Sequence, residues 1–220
     1  RGRDFTNRRS LRVASVVRLV GEKLRSATLG RADAYSRGGG DIETNSSVRS
    51  TSAVSQRDRG VMDPDEMERS YNARSTLGSL RNLSEFMASI RGRRKAMVFI
   101  SEGFGYDLSN PWSAGGTSFV HDEMREAVGA AARGNVSIYA IDPRGLATGT
   151  GDAIETDSFP ADSGLNIGLG SMQSEARLAQ ENLRTLAEET GGFAAVNRND
   201  FRDVFERLVR ENSGYYVIGY

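Results

Sequence analysis

The feature that most constrains the fold is the segment 93–103, where three basic residues lead into an unbroken apolar run over 96–100. An apolar run of this length, bounded by polar residues and glycine, is typical of a β-strand buried on both faces. We therefore predict a buried strand over 95–101. The run ends at Ser101 and Glu102, and the carboxyl ends of parallel strands form the edge at which α/β proteins bind ligands. These two residues are the first candidates for a functional site.

A second apolar run, over 136–141, ends at Asp142 and a proline. Proline cannot continue a central strand, so the chain is expected to turn there. Because one predicted helix joins the two strands, Glu102 and Asp142 are expected at the same edge of the sheet. Their oxygens, with that of Ser101, suit an ion of the Mg²⁺ type. Asp142 before a proline is equally an ordinary turn residue, and both interpretations stay open.

The rest of the chain alternates predicted helices and strands. In chain order we predict a helix to about residue 20, a helix over 64–91, the strand 95–101, a helix over 119–133, the strand 136–141, a helix over 173–190, a strand over 193–196, a helix ending at 210 and a strand over 215–220. This alternation predicts a mostly parallel sheet with helices on both faces. Residues 26–62 are rich in Ser, Thr, Arg and Gly and are predicted to be a flexible insert.

Composition narrows the functional classes. The chain has no cysteine, which excludes thiolate metal sites and cysteine nucleophiles, and its single histidine, His121, gives little support to a zinc site or a Ser-His-Asp triad. A net charge of zero argues against a dedicated nucleic-acid binder. No apolar run approaches the ~20 residues of a membrane span. A non-enzymatic role is therefore favoured, and the alternative is a metal-dependent hydrolytic or phosphotransfer enzyme using Glu102 and Asp142.

Four stretches resemble one family. Residues 94–103 resemble the "GRKALVLISDG" strand of von Willebrand factor type A (VWA) domains, and 136–142 resemble the strand that follows it. Residues 183–193 are similar to the family's "LRxLAEETGG" helix and turn, and 205–220 to its closing helix and "xYxLGY" strand. The long insert and the Ser-Glu-Gly sequence at 101–103 are most similar to those of VWFA-related proteins of Acidobacteria. The resemblance implies a Rossmann-like sheet that is incomplete at its N-terminal side, with its first strands upstream of Arg1. Residues 1–25 then supply a helix of the VWA-like domain, 26–62 the insert and 63–220 the remainder.

The resemblance also implies a function. VWA domains of this type bind a protein ligand, often through Mg²⁺ at a metal-ion-dependent adhesion site, and the family favours an exported or cell-envelope location. That site needs Asp-x-Ser-x-Ser after the first strand, a Thr from a later loop and an Asp after the strand 95–101. Here Glu102 replaces that Asp, which moves the carboxylate by ~1.5 Å, and Thr76 falls inside a predicted helix. The implied metal ligands are therefore Ser101, Glu102, Asp142 and Thr76, in an incomplete site.

Overall fold

The computed structural model describes residues 8–17, 26–37, 66–90, 92–108, 117–146 and 166–214. Its elements are α1 (Arg9–Val17), α2 (Ala27–Arg37), α3 (Glu66–Ala88), β1 (Lys95–Ile100), α4 (Thr117–Gly134), β2 (Val136–Ile141), α5 (Leu169–Glu189), β3 (Ala194–Ala195) and α6 (Arg202–Asn212). The predicted strand 215–220 and the part of the predicted insert after residue 37 lie outside the described residues.

The three strands form one parallel sheet in the order β1-β2-β3. The pairing of β1 with β2 runs in register from Lys95 opposite Val136 to Ile100 opposite Ile141. Helix α4 connects β1 to β2, and α5 connects β2 to β3. The prediction of an α/β fold with a parallel sheet is thereby confirmed.

One face of the sheet is covered by α3, α4 and α5. Met97 of β1 and Ile138 of β2 lie in a buried cluster with Leu77 of α3, Met124 of α4 and Leu186 of α5. Leu77, Ile138 and Leu186 are completely buried. Burying such side chains supplies about 1.5–3 kcal/mol each, so this layer carries most of the apolar stabilisation.

The opposite face of the sheet is covered by α6. Val204 of this helix packs on Ile141 and Ala195, at the carboxyl ends of β2 and β3. At the other end of the helix, the Asn212 amide donates a hydrogen bond of 2.9 Å to the Tyr139 hydroxyl. Helices therefore lie on both faces, and every residue of β2 is buried.

Strand β1 differs from its prediction. Its alternate residues Ala96, Val98 and Ile100 are exposed, with Val98 at 43% and Ile100 at 57%. The prediction that this strand is buried on both faces is therefore wrong. The physical reason is its position: among the described residues β1 has a strand neighbour only on the β2 side, and α6 lies over β2 and β3 instead of β1.

Helix α2 is a second correction. It occupies residues 27–37, inside the segment predicted to be a flexible insert, and buries Leu29 and Ala32. The prediction is wrong for these residues because the helix packs on α5 and receives a cap from a distant side chain, Glu175. The amino-acid composition of residues 27–37 does not indicate either contact.

Candidate functional site

The site predicted from the sequence lies where β1 and β2 end, an edge that we call the rim (Ser101, Glu102 and Asp142 with the loops that follow them). The Ser101 N–H donates to the Ile141 carbonyl at 3.0 Å, which extends the pairing of the two strands to their ends. The three polar residues therefore follow neighbouring strands at the same edge of the sheet, as the sequence predicts.

Asp142 is completely buried, and both of its carboxylate oxygens are engaged. The Arg144 guanidinium donates from Nε to Oδ1 at 2.9 Å and from Nη2 to Oδ2 at 2.9 Å, which is a bidentate ion pair. The Arg144 backbone N–H donates to Oδ1 at 3.0 Å, and the Gln180 amide donates to Oδ2 at 3.3 Å. Asp142 thus closes the turn after β2 and ties it to α5, which supports the turn interpretation of this residue.

Ser101 and Glu102 lie in the turn that follows β1. The Ser101 hydroxyl oxygen accepts a hydrogen bond of 3.1 Å from the Gly103 N–H. Gly103 has a φ of +83°, and a Cβ on it would stand 2.3 Å from the Ala179 carbonyl oxygen of α5, so only glycine fits. Glu102 is partly buried and forms no ion pair with another described residue.

The loop after this turn is fastened to α5 by Asn182, a residue that the sequence analysis did not single out. Its buried side-chain amide donates to the carbonyls of Phe104 at 2.6 Å and Tyr106 at 2.8 Å. Burial raises the pKa of Tyr106 above its ordinary value, and the nearby Glu66 carboxylate adds to the shift, while Arg69 opposes it. No sequence signal distinguishes Asn182 from any other polar helix residue, because its two partners are carbonyls of a distant loop.

Thr76 is not part of this arrangement. It lies within α3, where its hydroxyl donates to the Asn72 carbonyl at 2.8 Å. A hydroxyl bonded to the preceding helical turn is a usual arrangement for a threonine inside a helix. Within the described residues, no hydrogen bond joins Thr76 to Ser101, Glu102 or Asp142.

A second polar junction, also missed by the sequence analysis, joins α2 to α5. The Glu175 carboxylate accepts hydrogen bonds from the Ser26 hydroxyl at 2.8 Å, the Ala27 N–H at 2.9 Å, and the Thr28 N–H and hydroxyl, each at 3.2 Å. The first N–H groups of a helix lack partners within the helix, and the helix dipole favours a negative charge there. Glu175 therefore acts as the N-terminal cap of α2, although 148 positions separate it from Ala27.

Arg31 completes this junction. Its Nε donates to the Asn166 carbonyl at 3.1 Å, and Nη2 lies 3.3 Å from the Thr28 hydroxyl oxygen. Burial lowers the pKa of Arg31, and the carboxylates of Glu175 and Glu66 oppose that shift. An arginine keeps its charge under these conditions, so the junction combines one cation with the capping carboxylate.

The rim residues, as arranged, do not fit a Mg²⁺ ion. Mg²⁺ requires near-octahedral oxygen ligands at close range, whereas Asp142 accepts from Arg144 and Gln180 and the Thr76 hydroxyl is bonded inside α3. Throughout the described residues, no group of three or more His, Cys, Asp or Glu side chains is placed to hold a metal ion. We therefore derive no chemistry from a bound metal.

Comparisons with known proteins give no family assignment: no family model matches the chain, and no curated protein or solved structure gives a significant match. None of the helices in the described ranges combines the length and the apolar character that crossing a membrane requires.

Proposed function

We propose that this chain is a non-enzymatic protein-interaction domain of the VWA-like type, part of a larger bacterial protein that is exported or held in the cell envelope. The observation that carries the proposal is the state of the rim. The carboxylate of its buried acid, Asp142, accepts hydrogen bonds from the side chains of Arg144 and Gln180. Asp142 and its partners therefore hold the loops of the rim in place, which is what a binding surface needs, and this buried acid is not available as a reactive carboxylate.

The arrangement of elements also supports the VWA-like assignment. Three parallel strands carry α3, α4 and α5 on one face and α6 on the other. A Rossmann-like sheet with helices on both faces has this layering. We propose that the chain supplies one side of such a sheet, and that the resemblance over residues 64–220 reflects it.

The metal site of that family is proposed to be incomplete in this chain. Among the candidate ligands, Glu102 alone has a carboxylate without an ion pair to another described residue. One carboxylate with a neighbouring serine hydroxyl supplies too few ligands for tight Mg²⁺ binding. A protein ligand is then bound by direct contacts with the rim instead of through a strongly held ion.

The enzyme alternative requires Asp142 to act as a metal ligand or a base. Either role needs the bidentate ion pair with Arg144 to open, and separating a buried pair costs about 3–5 kcal/mol. That cost adds to any chemical barrier, so the alternative has less support.

Turnover of phosphoester substrates in the presence of Mg²⁺ or Mn²⁺ tests the proposal. We expect the chain and its Glu102→Ala variant to hydrolyse a general chromogenic phosphoester no faster than buffer does. The matched control is Glu85→Ala, which removes an exposed acid from α3. Metal-dependent turnover that Glu102→Ala abolishes and Glu85→Ala preserves would establish the enzyme alternative.

A further inference from the structure

The loop that follows β1 lies along α5. Gly103 packs so closely on the backbone of this helix that a Cβ on it would stand 2.3 Å from a carbonyl oxygen. The Asn182 amide, further along the helix, donates to the carbonyls of Phe104 and Tyr106. The backbone on both sides of Gly105 is therefore fixed to α5.

The same loop lies against Glu175, the residue of α5 that caps α2. A Cβ on Gly105 would stand 2.9 Å from Cγ of Glu175 and 3.6 Å from its Oε1. No side chain fits there, because non-bonded carbon atoms are most stable about 3.5–4.0 Å apart. Oε1 is also the atom that accepts the Ala27 N–H at 2.9 Å. One side chain therefore contacts the rim loop and binds the first turn of α2.

Helix α2 buries little apolar surface of its own. Of its four buried residues, Leu29 alone has a large apolar side chain, and the others are Thr28, Gly30 and Ala32. Segments with few buried apolar contacts open locally at a lower free energy than the core does. The hydrogen bonds that Glu175 accepts are therefore a substantial part of what keeps this helix closed.

We propose that Glu175 couples the rim to α2, so that movement of the loop towards α5 at Gly105 releases the N-terminus of the helix. In the closed state the carboxylate caps α2, and Gly105 rests against the Glu175 side chain. When the loop moves inwards, this side chain swings aside, because a side chain changes its rotamer more easily than a packed helix shifts. Its four hydrogen bonds to Ser26, Ala27 and Thr28 then lengthen or break.

This coupling gives the rim a means of regulation, and that part of the inference rests on the proposed function. A ligand that presses the loop inwards favours the released state by as much as it binds that state more tightly than the closed state. By linkage, any contact that holds α2 closed weakens the binding of the same ligand by the same factor.

Gly105→Ala imitates the inward movement without a ligand. Gly105 is exposed and lacks a left-handed φ, so its backbone suits alanine, and the three atoms nearest to the new Cβ all belong to Glu175. We expect a roughly tenfold or greater loss of amide protection in α2, equivalent to losing about one hydrogen bond to a charged group. Protection of α4 should stay unchanged. Hydrogen exchange followed by mass spectrometry measures both helices in one experiment.

A double-variant cycle identifies Glu175 as the link. Glu175→Ala removes the side chain that meets the new Cβ, so adding Gly105→Ala to it should cause no further loss in α2. The matched control is Gly170→Ala in the first turn of α5, where no described atom beyond its own helix lies within 4 Å of the new Cβ. It should leave α2 unchanged. Full protection of α2 in Gly105→Ala, or losses that add in the double variant, would overturn the coupling.

Protection of α4 shows whether the fold survives. If Gly105→Ala lowers it too, we expect Glu175→Ala to restore it in the double variant, because the strain lies against that side chain; a failure to restore it would refute the proposal. The cycle contains no ligand, so a negative result leaves the function proposed for the rim standing. Phosphoester turnover that Glu102→Ala abolishes would instead overturn that function and leave the coupling intact.

Discussion

The junction between α2 and α5 gives a prediction whose size follows from the structure. Glu175→Ala removes a carboxylate that accepts four hydrogen bonds of 2.8–3.2 Å from Ser26, Ala27 and Thr28. Removing an N-terminal cap costs about 0.5–2 kcal/mol, and a hydrogen bond to a charged group contributes about 1.5–3 kcal/mol net of its exchange with water. Because the junction is only partly buried, we expect a local cost of about 2–3 kcal/mol.

This cost should appear as easier opening of α2 while the sheet stays folded. An opening free energy lower by about 2–3 kcal/mol corresponds to a roughly 30- to 150-fold loss of amide protection. Hydrogen exchange followed by mass spectrometry, comparing residues 27–37 with α4, measures it. Glu175→Gln keeps one carbonyl acceptor and should show a smaller loss.

The matched control is Glu188→Ala, which removes an exposed acid from the same helix. It should leave the exchange of α2 unchanged. If Glu175→Ala leaves the protection of α2 intact, or if both substitutions reduce it equally, then Glu175 does not cap this helix and the reasoning fails.

Three further substitutions test the packing of the loops around the sheet. In Gly192→Ala the new Cβ would stand 1.9 Å from the Ile138 carbonyl oxygen, so we expect loss of soluble protein or more than ~3 kcal/mol of unfolding free energy; a change under ~1 kcal/mol in urea would contradict this. Asn182→Ala removes the hydrogen bond to the buried Phe104 carbonyl and one of the two to the Tyr106 carbonyl, which keeps that from the Leu108 N–H. It should cost about 1–3 kcal/mol in the same assay, and wild-type stability would refute it. The pKa of Tyr106 is raised in the folded state, so its contribution to stability is complete below about pH 10, the ordinary pKa of tyrosine, and is lost as the pH rises further. Tyr106→Phe should therefore flatten the alkaline fall in unfolding free energy, and an unchanged slope would contradict the assignment.

The strands and most helices were predictable because apolar periodicity determines them. The runs over 95–101 and 136–141 are short, strongly apolar and bounded by turn residues, and they form β1 and β2 with almost the predicted bounds. Their parallel pairing follows from the single helix between them. The apolar run does not encode which elements lie beside the strand. Its pattern therefore predicts a doubly buried strand, whereas the described residues place β1 at one end of the three-stranded sheet with one face exposed.

The candidate site was predictable only as a location. The sequence places Glu102 and Asp142 at neighbouring strand ends but leaves open whether Asp142 is a ligand or a turn residue. The bidentate ion pair of Asp142 with Arg144, two positions later, supports the turn interpretation. The sequence signal for that interpretation is an acid followed by a proline and an arginine. The cap on α2 has no such signal, because Glu175 and Thr28 are 147 positions apart.

The role proposed for the rim requires that Asp142 forms a structural ion pair with Arg144. The unfolding temperature with and without Mg²⁺ tests this directly. Asp142→Asn leaves the partly exposed Arg144 without its anion and should cost about 3 kcal/mol, a clear fall in unfolding temperature. An ion that binds the folded chain, at a concentration 100 times its dissociation constant, would add about 2.7 kcal/mol to the free energy of unfolding. We expect Mg²⁺ to leave the unfolding temperature of both proteins unchanged. A rise in the wild-type chain that disappears in Asp142→Asn would contradict it.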